Sequence, residues 1–141
     1  ATRFREQRPP GDAVDRVLAM GRISVSVLLE KPDVSKAVVG SLGVAGPSPS
    51  AVRPQSEALW SLALDDGSAL ALDIPIPMRA ILSQQLAFTF RGCVSFWIAG
   101  ELADDLLGRA FHTGALTVLL GFVDPARRAN MVAHMGPLPT P

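Results

Sequence analysis

A chain of 141 residues that is 48% hydrophobic fits one domain with enough apolar material for a core, which excludes disorder throughout. Thirteen Lys plus Arg balance thirteen Asp plus Glu, so no overall basic field is present to draw in a polyanion. The single cysteine, Cys93, excludes an intrachain disulfide framework, and no Cys/His spacing suits zinc.

Residues 1–11 carry Arg3, Arg5, Arg8 and the Pro9-Pro10 pair, a polar and extended arm without periodicity. The start lacks an initiator Met and an apolar signal region, as a processed or internal terminus would. Asp12 is placed to cap a short helix with Asp15 in its first turn, Val14, Val17 and Leu18 on one face, and Gly21 as its end. From residue 22 the period changes. Ile23, Val25, Val27 and Leu29 alternate with Arg22, Ser24, Ser26 and Glu30, which predicts a half-buried strand over 22–30.

Residues 37–54 are rich in Gly, Pro and Ser and read as a weak strand entering a long loop. Trp60, Leu62 and Leu64 alternate, Asp65-Asp66-Gly67-Ser68 supplies turn chemistry, and Leu70, Leu72 and Ile74 alternate again, as in a hairpin. Pro77 suits the first turn of a helix carrying Met78, Ile81, Leu82 and Leu86. Phe88, Phe90, Val94, Phe96 and Ile98 then share one face of a predicted strand, with Thr89, Arg91, Cys93 and Ser95 on the other and Gly92 as a bulge or a gap for a large neighbour. Residues 101–109 form a short acidic helix or loop, and Leu116, Val118, Leu120 and Phe122 mark a last strand that Asp124-Pro125 stops. The tail 126–141 has no core pattern. The run 92–100 is bounded by charge and 114–123 is too short to span a bilayer as a helix, so no membrane insertion is expected.

Few residues carry chemistry. Cys93 with His112 or His134 would need a base within hydrogen-bond reach and an orienting third group, and nothing places one there. Asp65-Asp66 and Asp104-Asp105 read as turn and cap residues, because adjacent acids diverge in direction. Arg127-Arg128 reads as solvated surface. Trp60, Phe88, Phe90 and Phe96 read as core, and Trp97 alone is left for surface stacking. No enzyme, cofactor or metal site is expected.

The order of these elements resembles the capsid proteins of picornaviruses and their insect and plant relatives. The matching positions are Val14 with Leu18, then Trp60, then Phe90-Arg91-Gly92, then Phe111-His112-Thr113-Gly114-Ala115-Leu116, and then Pro125. The resemblance implies an all-β fold: a viral jelly-roll β-sandwich with two short helices, occupying 12–125 between the arm and the Pro-rich tail. Only strands B to E are present, so the barrel is incomplete and the rest must come from elsewhere. It further implies a structural coat protein that self-assembles into an icosahedral shell around RNA, in the virion and, during assembly, in the host cytoplasm. Its partners would be other capsid chains, with weak RNA contact through Arg3, Arg5 and Arg8; Trp60, Phe90, Arg91, Gly92, Phe111, His112, Gly114 and Leu116 would be structural. The alternative is a non-enzymatic β-rich scaffold subunit of a large cellular complex.

Overall fold

A computed structural model of the chain describes residues 10–45, 53–64, 70 and 74–135, and these form six helices. They are α1 (Ala13–Glu30), α2 (Pro32–Ala45), α3 (Arg53–Ala63), α4 (Ile76–Ile98), α5 (Asp104–Leu119) and α6 (Pro125–His134). Among the described residues there is no strand, only one isolated antiparallel bridge between Leu70 and Val123. The expected all-β jelly roll is therefore wrong, and with it the incomplete barrel of strands B to E.

The helix starts follow local chemistry. The Asp12 side chain accepts the Asp15 backbone N–H at 2.9 Å, and the Asp15 carboxylate accepts the Asp12 N–H at 3.1 Å, a reciprocal capping box. Pro77 sits in the first turn of α4, as expected. Asp124 and Pro125 start α6 rather than stop the preceding element, since α5 already ends at Leu119: the Asp124 side chain accepts the Arg127 N–H at 2.9 Å.

The strands were misread because alternation at i, i+2, i+4 shares positions i and i+4 with a helical stripe. In residues 22–30 only Val25 is buried among the four alternating apolar residues, and Val27 is 48% exposed. The buried series Val14, Val17, Gly21, Val25 steps by three and four and runs through the whole of α1. Gly21 therefore does not end the helix. The expected helix at 77–86 likewise continues through the supposed aromatic strand, with Leu82, Leu86, Val94 and Trp97 turned inward. Trp60 and Leu64, four apart at the end of α3, replace one arm of the hairpin; its turn, 65–69, lies outside the described residues. In α5, Leu107, Phe111, Ala115 and Leu119 step by four, so the expected last strand is the end of a helix.

Helices α1, α3, α4 and α5 pack in a closed ring, with α2 against α1. The main core lies inside this ring. Trp60 from α3, Phe90 from α4 and Phe111 from α5 meet there, Phe90 and Phe111 edge to face with centroids 5.2 Å apart and Trp60 5.1 Å from Phe111. On its α1 side the Cδ1–Cε1 edge of the Phe111 ring fills the space where Gly21 has no side chain, so that a Cβ there would overlap it. A second cluster, Val25, Val94, Trp97 and Leu107, is joined to the first through Phe90 and Cys93. Buried Arg16 closes the end of α3, its Nε donating to the Ala63 carbonyl at 3.0 Å and its Nη1 to the Gly11 carbonyl at 2.9 Å. A tight turn with Gly100 at φ 80 connects α4 to α5.

Filling the Gly21 gap is expected to destabilise the fold although almost any residue other than proline favours a helix more than glycine does. Gly21→Val should cost about 2–3 kcal/mol through overpacking against Phe111. Gly40→Ala in α2, where a Cβ meets Ile98 at an ordinary 3.8 Å, should instead gain up to about 1 kcal/mol. Chemical denaturation measures both, and an unchanged Gly21→Val midpoint would contradict the packing described.

Candidate functional site

The residues that alternation assigned to one strand face are spread around α4. Phe90 and Val94 point into the core, while Phe88 is 47% and Phe96 58% exposed. At 100° per residue, Ile81, Gln85, Phe88, Gly92, Ser95, Phe96 and Ala99 form one stripe about 27 Å long at 1.5 Å per residue. The stripe carries no charge. Ile81 is 45% exposed, and a Cβ on Gly92 would meet nothing within 4 Å, so a shallow notch sits midway between Phe88 and Phe96. Among the described residues, Val27, Val34, Val38 and Val132 are the other exposed large apolar residues, on α1, α2 and α6.

Trp97, expected at the surface, is fully buried. Its indole N–H donates to Asp104 Oδ1 at 2.7 Å, and Lys36 from α2 lies 4.9 Å from its ring centroid and 3.7 Å from the same carboxylate. Asp104 thus works as an anchor for Trp97 in the first turn of α5, where a negative charge also suits the helix dipole. Arg127, expected to be solvated, reaches from α6 to the capping box of α1: Nε lies 3.0 Å from Asp12 Oδ2, and Nη2 donates to Asp15 Oδ1 at 2.7 Å. Arg128 is exposed.

The positions that carried the capsid resemblance divide into two groups. Trp60, Phe90, Phe111 and Leu116 are core residues of three helices, and Gly114 lets α5 approach α4 so closely that a Cβ would stand 2.6 Å from Thr89 Cγ2. Arg91 is exposed, Gly92 lies in the outer stripe, and His112 is half-buried on α5. Arg3, Arg5 and Arg8 lie outside the described residues.

Neither imidazole is hydrogen-bonded to Cys93. Burial pushes the Cys93 thiol above its ordinary value, only partly offset by a backbone hydrogen bond. His112 is shifted below its usual value, first by burial and then by Arg22, Arg109 and His134. Among the described residues no group of three His, Cys, Asp or Glu side chains is placed to hold a metal ion, and no helix is long and apolar enough to cross a membrane. In comparison with known proteins, no family model matches the chain, and no curated protein or solved structure is significantly similar to it.

What sequence reasoning missed is the outward pair Phe88 and Phe96. Their separation of eight residues, with Gly92 midway, is visible in the sequence, but only once the segment is read with a period of 3.6.

Because the Cys93 thiolate is disfavoured, its reaction with a soluble disulfide reagent is expected to be at least about tenfold slower than that of free glutathione at pH 7. The rate should rise only as the solution becomes alkaline. A rate equal to that of glutathione in stopped-flow absorbance would contradict this environment.

Proposed function

We propose that the chain is a non-catalytic assembly subunit that pairs with a second copy of itself through the outer stripe of α4. The row Phe88, Gly92, Phe96 carries this reading. It is large, small, large at steps of four, and so reads the same in either direction along the helix. In an antiparallel pair about a two-fold axis at Gly92, Phe88 of each copy meets Phe96 of the other, and the glycines allow the axes the 8–10 Å approach of packed helices. The stripe's lack of charge matters equally. A charged residue on the two-fold axis would face its own copy; the stripe has none, and exposed Arg91, beside Gly92 in sequence, lies 100° around the helix on its flank. Aromatic residues in an uncharged patch are also the usual composition of an interface centre.

Burial holds the Cys93 thiol above its ordinary value, and burial with the charges of Arg22 and Arg109 disfavours the His112 imidazolium, which supports the non-catalytic part. Self-association is the part of the coat-protein expectation that this stripe favours. The closed shell, the RNA within it and the virion location stand on the sequence resemblance alone.

Sedimentation equilibrium at micromolar concentration is expected to give twice the chain mass, and Phe96→Asp to give the monomer. Gly92→Glu separates pairing from folding, since its side chain meets nothing inside the chain. It should keep the wild-type helical circular dichroism and lose the dimer. A monomeric wild-type chain, or a Gly92→Glu chain that still pairs, refutes the proposal.

A further inference from the structure

Between α1 and α5 lies a recess of about 270 Å³ lined by Leu18, Arg22, Gly108, Arg109, Phe111 and His112. Its existence follows from the contact at Gly21. Phe111 lies against α1 at that glycine, so Leu18 and Arg22, on either side of it in sequence, flank the ring. Leu18 and the buried Phe111 make an apolar floor, and Arg22, Arg109 and His112 stand around it.

Three cations elsewhere in the fold are held by partners, whereas Arg91 and Arg128 stand exposed on the outer surface of their helices. Arg16 is bonded to backbone carbonyls, Arg127 to Asp12 and Asp15, and Lys36 to Asp104. Arg22 and Arg109 have no hydrogen bond or ion pair among the described residues, although the chain has as many acids as bases. No carboxylate lines the recess.

We infer that this recess binds a small organic anion, a compact apolar body carrying one carboxylate, with Arg22 and Arg109 holding the charge and Leu18 and Phe111 the body. The volume lies just under the range of about 300–1,000 Å³ usual for small-molecule sites, which restricts the body to one or two rings or a short branched chain. Two guanidiniums suit a carboxylate because each can present paired N–H donors to its two oxygens. The inference is independent of pairing through α4, which uses none of these residues.

Binding is coupled to protonation of His112. Without ligand, burial and the charges of Arg22 on α1, Arg109 on its own helix and His134 on α6 all disfavour the imidazolium. A bound carboxylate neutralises part of that field and favours it, so the ligand-bound His112 pKa is the higher one. Affinity must then rise as pH falls through the interval between the two values.

Isothermal titration calorimetry with 2-naphthoate, its neutral alcohol analogue 2-naphthalenemethanol, and inorganic phosphate tests the inference. Naphthoate is expected to bind about tenfold or more tighter than the alcohol, because charge-assisted hydrogen bonds are lost with the carboxylate. It should also bind more tightly than phosphate, which lacks the apolar body. Arg22→Gln with Arg109→Gln, both exposed and expected to fold, should remove the preference for naphthoate over the alcohol. His112→Gln should flatten the increase in naphthoate affinity between pH 8 and pH 5.5, a range in which the ligand stays ionised. No naphthoate binding, equal affinity for the alcohol or for phosphate, or affinity unchanged in the double variant overturns it.

Discussion

The close approach of Phe111 to Gly21 is the constraint on which the rest of the fold depends. A phenyl ring can lie against a helix at that distance only where the helix offers bare backbone, so α1 and α5 are locked at one register. The same ring meets Trp60 and Phe90, and in this way one side chain sets the spacing of all four helices in the ring. Each aromatic contact adds about 0.5–1.5 kcal/mol beyond the burial of its surface. The three together form the best-defined part of the core. Gly114 plays the corresponding part between α5 and α4, where Thr89 takes the space of a side chain.

Helix beginnings were legible in the sequence because they rest on local chemistry. Asp12 with Asp15, Pro77, and Asp124 with Pro125 each act within three or four residues, and all mark boundaries that the structure contains. Helix continuation was not legible, because it depends on partners far away in the chain. Gly21 looks like a helix end until Phe111, ninety positions on, is known to need the gap. Ile23, Val25, Val27 and Leu29 favour a strand locally, and tertiary packing of Val25, with Leu28 and Leu29 beside it, overrides them. Helix α4 was hardest to see. Apolar residues surround it, inward for the core and outward at Ile81, Phe88 and Phe96, so no single stripe stands out against the polar positions. The candidate site suffered directly, because both of its phenylalanines were assigned to the core while Trp97 was assigned to the surface.

Charge is distributed with a similar division of labour. Several placed ions serve helix ends: Arg16 the Ala63 carbonyl at the end of α3, Asp12 and Asp15 the start of α1, Asp124 the start of α6. Such groups stabilise a terminus and are unavailable for anything else. Arg22 and Arg109 sit in mid-helix, where no terminus needs them, and the α4 stripe has no ions at all. The two surfaces therefore differ in kind, one neutral and aromatic, the other concave and cationic.

The bond from Arg127 to Asp15 joins residues 112 positions apart. It ties the first turn of α6 to the very cap from which α1 begins, and so closes almost the whole described chain into a loop. During synthesis α1 emerges first, yet the ions that clasp its first turn arrive only after α6 has left the ribosome. The amino-terminal helix must wait, with Gly21 and the apolar residues beside it uncovered, until Phe111 and then Arg127 are made. In this molecule the order of translation and the order of completion run in opposite directions.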